Sequence, residues 1–311
     1  MAFVKQKIVN NKNRYYLEKS VRLPNSKIKK YSLYLKEYKE EDLKNYETIL
    51  NNKIAEDFAK NYKHSSVFNF ETLKKLESIK FEYKYITKKL TNKQFNDIMD
   101  RFAINFTYES NAIEGNSLTL KDVVIVINEK KSIKGKELRE IHETINAREA
   151  IELVFNKKIK INESDIIKIH SILTKNTGVN KGYKKIPNFI LGRNIETTPP
   201  ENVKKEMDKL ISWYNDNKEM HILQRASIFH GFFEKIHPFE DGNGRVGRML
   251  INIMLINNGY SPLIIRKTHR LSYLNALETF DNKYYSKLES FIIEKYKETF
   301  EKFFKVYIKY L

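Results

Sequence analysis

Cysteine is absent from the 311 residues, which excludes disulfides, thiolate metal sites and a cysteine nucleophile and fits a cytoplasmic protein. No run of about 18 consecutive apolar residues exists, so no membrane-spanning helix is expected. The opening Met-Ala-Phe-Val-Lys-Gln-Lys-Ile-Val lacks the apolar core of a signal peptide. No repeat period or low-complexity tract stands out. Acidic residues are the scarce charge: 39 Asp and Glu face 57 Lys and Arg, for a net charge of +18. That surplus suits a polyanionic partner such as nucleic acid, or an anionic membrane surface. The lysines are spread along the whole chain, however, so a solvated basic surface is the favoured reading and nucleic acid the lesser one.

What is present describes a folded protein. Hydrophobic residues make up 41% and charged residues 31%, and the length suffices for one large domain or two modest ones. Phe3-Val-Lys-Gln-Lys-Ile-Val, Arg14-Tyr-Tyr-Leu-Glu-Lys-Ser-Val-Arg-Leu and Lys30-Tyr-Ser-Leu-Tyr-Leu read as three short strands. Turn residues Asn10-Asn-Lys-Asn13 and Pro24-Asn-Ser26 separate them, so a small antiparallel meander is expected over residues 1–40. From about Glu40 apolar positions recur at helical spacing, and helices are expected at 40–60, 70–90, from Asn92 through Tyr108, 119–129, 136–156, 163–174, 202–216, 221–235, 246–258, 269–280 and 284–310. A strand-like interruption falls at 184–193, between Gly182 and Gly192.

The densest chemistry lies in His237-Pro-Phe-Glu-Asp-Gly-Asn-Gly-Arg-Val-Gly-Arg248. Pro238, Gly242 and Gly244 argue for a turn, and the apolar run from Met249 argues for a helix behind it. A glycine turn opening a helix presents unpaired N–H groups and positive dipole, which suits phosphate. Arg245 and Arg248 lie three apart and can face one anion. Asp241 offers the hard oxygen that a phosphate-bridging Mg²⁺ needs, and His237 stands beside the nest as a candidate general base.

This segment resembles the His-x-Phe-x-Asp/Glu-Gly-Asn-Gly-Arg-x-x-Arg signature of the Fic (Fido) family, with every specified position matched. The resemblance implies transfer of AMP from ATP to a protein Ser, Thr or Tyr hydroxyl, with ATP as co-substrate and Mg²⁺ as cofactor. It implies His237 as base, Asp241 as Mg²⁺ ligand, phosphate binding by Gly242, Asn243, Gly244, Arg245, Gly247 and Arg248, and Phe239 as the loop's anchor. Tyr273, in Arg270-Leu-Ser-Tyr-Leu-Asn-Ala-Leu, is then placed near the adenine, or is plain core. The interruption at 184–193 resembles the family's flap hairpin, whose Ile186, Pro187, Asn188, Phe189, Ile190 and Leu191 would dock a target strand. Ala226 and His230 fit the family's Ala-x-x-x-His pattern, and His230 reads as a core histidine. Lys184 departs from an arginine common at that place and cannot offer a bidentate fork.

Upstream, Ser110-Asn-Ala-Ile-Glu-Gly-Asn116 matches the family's inhibitory motif. Ser110 and Glu114 share one helix face, and Gly115 suits the helix end. The resemblance implies that Glu114 forks to Arg248 in place of the γ-phosphate; a capped helix end is the plain alternative. The reading is therefore mainly α: a Fic helical fold with a β-hairpin flap, the N-terminal meander, a helical region at 41–100, a catalytic domain at 101–295 including an inhibitory helix at about 104–116, and a closing helix end at 296–311. No C-terminal winged-helix extension is expected. The activity expected is autoinhibited protein AMP transfer, self-modification included, with a homo-oligomer compatible. Removal of AMP, a different donor, or a basic nucleic-acid-binding module are the alternatives.

Overall fold

Two asparagines turn the first hairpin. Asn10 and Asn11 both carry positive φ, at 54° and 55°, the signature of a two-residue type I′ turn whose twist matches the strands it joins. It connects β1 (Phe3–Val9) to β2 (Lys12–Arg22), with Val9 opposite Lys12. Pro24 and Asn25 form the second turn, closed by Ser26 at φ 66°, and lead into β3 (Ile28–Leu35). The sheet order is β1-β2-β3, antiparallel throughout.

The computed structural model describes residues 2–36, 39–156, 159–189 and 196–306. These divide into two units, Met1–Glu82 with Lys218–His221, and Tyr83–Asn217 with Ile222–Leu311. In the first unit, one sheet face carries Leu17, Tyr31 and Leu35 against Leu50, Ile54 and Ala55 of α1 (Leu43–Asn61) and against Phe81. Burying such side chains contributes about 1.5–3 kcal/mol each. Lysines on this face are tied down: Lys19 Nζ donates to Asn51 Oδ1 at 2.8 Å, and Lys29 pairs with Asp57 at 2.5 Å. α2 (Phe70–Lys89) follows.

The second unit is helical: α3 (Asn92–Ile113), α4 (Leu120–Val124), α5 (Leu138–Phe155), α6 (Glu163–Leu173), α7 (Pro200–Asp216), α8 (Ile222–Ile236), α9 (Asn243–Asn257), α10 (Arg270–Asp281) and α11 (Ser286–Thr299). A reciprocal capping box between Thr91 and Gln94 starts α3, and Pro200 opens α7 at a position where its missing N–H costs nothing. α9 is buried on every side, its two arginines included, and α3, α5, α6 and α8 pack around it. Among the described residues no helix is long and apolar enough to cross a membrane.

The architecture is thus mainly α with a small antiparallel sheet, as the sequence pattern indicates. Two helices end otherwise than expected, in single π-turns at Ile125–Glu129 and Phe300–Phe304. α9 begins three residues earlier than the apolar run suggests, because Gly242 caps it at φ 82° and its carbonyl accepts from Val246 N–H at 3.0 Å. At the expected flap, the described residues show one isolated antiparallel bridge, Phe189 to Glu196. Ile190 and Leu191 lie outside the described residues.

On the opposite sheet face Glu18 is covered by Lys30 at 2.7 Å and Lys7 at 3.0 Å. Hydrogen bonds from Lys30 and then Lys7 hold its carboxyl down to about 2, against an ordinary 4.5. A depressed acid contributes stability that is complete above its unfolded pKa and is lost as pH falls towards its folded one. Denaturant midpoints of the protein should therefore fall between pH 4.5 and 2 more steeply than those of Glu18→Gln. Parallel curves would remove Glu18 from the acid response.

Candidate functional site

Residues 237–242 join α8 to α9, and side-chain bonds to the backbone fix their path. Asn243, 2% exposed, accepts from Phe239 N–H at 2.9 Å through Oδ1 and donates to Phe239 O at 2.8 Å through Nδ2. Asn243 is thus a loop fastener, and only its backbone faces the helix entrance. The Phe239 ring is fully buried and stacks on His170, with centroids 3.8 Å apart and planes 5° from parallel. His170 Nε2 donates to Asp241 O at 3.1 Å, which sets its tautomer. Burial first, and then the Arg245 charge, push the His170 imidazole down to about 4, although its bond to Asp241 opposes them, so it stays neutral.

This path places three groups at the α9 entrance. His237 is half-buried in the left-handed region, φ 50°, with Nδ1 3.3 Å from Glu234 O. Asp241 points its carboxylate at Gly242 N–H, 2.5 Å away. Burial raises the Asp241 pKa, but Arg245, the Gly242 N–H and Arg139 outweigh it and hold the carboxyl below the usual range. Gly242 and Gly244 then start the helix with no side-chain cap on its N–H groups.

The two arginines part company here. Arg245 Nη1 lies 2.9 Å from Glu143 of α5, with Nη2 3.4 Å from Asp241. Arg248 is engaged from α3: Nε donates to Ser110 Oγ at 3.0 Å, and Nη2 donates to Ser110 O at 2.8 Å and to Glu114 Oε1 at 2.7 Å. Burial disfavours the Arg248 cation, yet the Glu114 carboxylate more than compensates and keeps it charged. Gly115, at φ 101°, turns the chain away immediately after Glu114. Ser110 and Glu114 therefore meet Arg248 as their spacing suggests, although 134 residues separate Glu114 from its partner.

Tyr273 is buried, with its hydroxyl 2.7 Å from His230 Nε2 and its ring 6.0 Å from the Arg248 guanidinium. His230 is a core histidine. At the expected flap, Ile186 and Phe189 are 67% and 84% exposed, and Pro187 is exposed between them. Lys184 turns inward instead: it is buried, donates to Asn188 Oδ1 at 2.7 Å and Thr197 Oγ1 at 2.8 Å, and desolvation lowers its pKa to about 8. Asn188 in turn donates to Phe239 O at 2.8 Å, and Lys184 N–H donates to Pro238 O at 2.9 Å. The flap base is thereby bonded to the His237 loop.

Sequence reasoning missed two residues at this site. Arg139 and Glu143, one turn apart on α5, pair with each other at 3.3 Å; Arg139 also pairs with Asp241, and Glu143 with Arg245. Their i,i+4 spacing reads as a surface pair, and nothing in the linear chain joins Arg139 to a carboxylate 102 residues away.

Gly247 lets α9 approach α8: a Cβ there would meet Glu234 Oε1 at 2.5 Å and the His230 ring at 2.8 Å. Gly247→Ala should cost about 1–3 kcal/mol by overpacking, measured by denaturant unfolding, despite alanine's better helix propensity. An unchanged or raised midpoint would show that His230 and Glu234 yield without strain.

Residues 160–255 match the family model for the Fic/DOC family. A protein adenylyltransferase Fic from Nematostella vectensis is 33% identical over 177 residues, 55% of this chain and 41% of that one. A probable protein adenylyltransferase from Aquifex aeolicus (strain VF5) is 33% identical over 167 residues, 52% of each chain. The chain thus spans about half the length of these curated relatives. In structure, it superposes on a Fic family protein from Desulfovibrio desulfuricans G20 with a TM-score of 0.67 and 25% identity, covering 78% of this chain and 75% of that one. His237, Asp241 and Arg248 accordingly lie within the stretch that matches the Fic/DOC family model.

Proposed function

We propose that this chain transfers AMP from ATP to a hydroxyl of a protein, itself included, and that Glu114 restrains the reaction. The observation that carries this reading is the convergence at one helix entrance of a half-buried imidazole, an ionised carboxylate and uncapped N–H groups, with two buried arginines behind them. The relatives' names support the same activity.

The acceptor oxygen attacks the α-phosphorus, the bond to the bridging oxygen breaks, and pyrophosphate leaves with that electron pair. The hydroxyl proton passes to His237. With Nδ1–H donated to Glu234 O, Nε2 is the basic nitrogen. The N–H groups of Gly242 to Gly244 bind phosphate oxygens, with Asp241 giving up the Gly242 N–H, while Arg245 and Arg248 hold the outer phosphates. Among the described residues no cluster of three His, Asp or Glu forms a metal cage, but Mg²⁺ needs only one carboxylate beside phosphates and water. Asp241, kept ionised and close to the helix entrance, fits that need. Mg²⁺ held there would neutralise charge on the phosphates. Exposed Ile186, Pro187 and Phe189 offer a backbone edge to the target strand, in the role also assigned to Asn188, Ile190 and Leu191.

Glu114 occupies Arg248 with a charge-assisted bond worth about 1.5–3 kcal/mol, or roughly ten- to a hundred-fold in competent ATP binding. With α-labelled ATP, Glu114→Gly should raise self-labelling by that order. Adding His237→Ala or Arg248→Ala should return it to background, with His237→Ala leaving nucleotide affinity within a few-fold. Equal labelling in the protein and Glu114→Gly, with loss of AMP removal in the variant, would instead make Glu114 a catalytic residue of the reverse reaction.

Arg139 supplies a resident cation at Asp241, which Mg²⁺ must displace. The pair is half-exposed and worth about 0.2–1 kcal/mol. Arg139→Ala should therefore bind Mn²⁺, read by electron paramagnetic resonance with an ATP analogue present, up to about five-fold more tightly. Weaker binding would make Arg139 a phosphate ligand rather than a competitor.

A further inference from the structure

The strand register sorts the charges of the N-terminal sheet onto one face. Partners in a ladder share a face, so Lys5 opposite Tyr16, Lys7 opposite Arg14, Ser20 opposite Lys30 and Arg22 opposite Ile28 all point away from α1. That face carries Lys5, Lys7, Lys12, Arg14, Arg22 and Lys30. Its one carboxylate, Glu18, is 1% exposed and already claimed by Lys7 and Lys30. The opposite face differs: its Lys19 and Lys29 are bonded to α1. At the centre of the cationic face Tyr16 and Tyr34 pack together with centroids 5.4 Å apart. Lys7 lies 4.5 Å from the Tyr16 ring and Arg14 5.8 Å from the Tyr34 ring. Such contacts hold the cations upright instead of letting them sweep through solvent.

We propose that this face docks duplex DNA, with the sheet laid against the major groove. Three strands at about 4.8 Å spacing make a surface about 10 Å wide, and the groove is about 12 Å wide. Alternate residues along a strand are about 6.8 Å apart, so Lys12 and Arg14 can meet separate phosphates of a backbone that carries one charge per strand about every 3.4 Å of helix axis. Sheets are known to read DNA in this way. This docking does not depend on the activity proposed above.

The test measures binding of a fluorescent duplex of mixed sequence to the whole chain at about 0.1 M salt. The variant Lys5→Gln/Lys12→Gln/Arg14→Gln is compared with Lys93→Gln/Lys168→Gln/Lys205→Gln, which removes equal charge from exposed helix positions. The sheet variant should bind at least about ten-fold more weakly, with the slope of log affinity on log salt reduced by about 0.9 for each phosphate no longer neutralised. The helix variant should stay within about two-fold, and Lys5→Arg/Lys12→Arg/Arg14→Lys should retain binding. Matching melting curves show that the substituted sheet is folded, and the charge-retaining variant tests the face even where they differ. Equal losses in both glutamine variants would overturn the proposal, as would absence of duplex binding by the protein. So would tighter binding to single-stranded RNA or to phosphatidylserine vesicles than to the duplex.

Discussion

One amide holds the site together. Asn243 bonds both backbone groups of Phe239, and this reciprocal pair fixes the six residues between α8 and α9 as firmly as a turn of helix would. Phe239 is then driven into the core, where His170 lies flat against it and reaches on to Asp241 O. His237, Asp241 and the N–H groups at the start of α9 inherit their positions from that chain of contacts. A buried amide with both ends satisfied loses little to desolvation and gains a unique geometry. Only residues that must sit in a fixed place repay such rigidity.

Around this frame the charges are arranged so that each buried guanidinium has carboxylates from other parts of the chain. Arg248 meets Glu114 at the end of α3, and Arg245 meets Glu143 of α5 and Asp241 of the loop. Leaving one partner of such a pair buried alone costs about 3–5 kcal/mol, whereas exchanging it for another anion costs far less. In the activity proposed above, a phosphate chain is that other anion. The same contacts that stabilise the structure without a ligand therefore lower the barrier to accepting one.

Much of this was legible in the sequence, for identifiable reasons. The meander is set by local signals, paired asparagines and a Pro-Asn turn between alternating strands. The junction at His237–Arg248 is legible because all its parts lie within a few residues. Ser110 and Glu114 could be matched to Arg248 only through a second short motif. Arg139 and Glu143 carried no such mark, and only the packing of α5 brings them to Asp241 and Arg245. Lys184 shows the reverse case: a surface residue type is buried because Asn188 and Thr197 receive its ammonium. The early start of α9 depended on Gly242 taking the left-handed cap that an apolar pattern does not mark.

Glu114 also stands at an unfavourable end of its own helix. It caps α3 at the C-terminus, where the last carbonyls of the helix carry partial negative charge. A carboxylate there is disfavoured by about 0.3–1 kcal/mol, the opposite of its effect at an N-terminus. Arg270 Nε donates to Ile113 O at 2.8 Å, and Arg248 donates to Ser110 O, so two cations offset the repulsion. Once an anion draws Arg248 away, one of them is lost and the final turn of α3 holds a negative group against its own dipole. The last turn of α3 is thus the one that loses stability when Arg248 is engaged elsewhere.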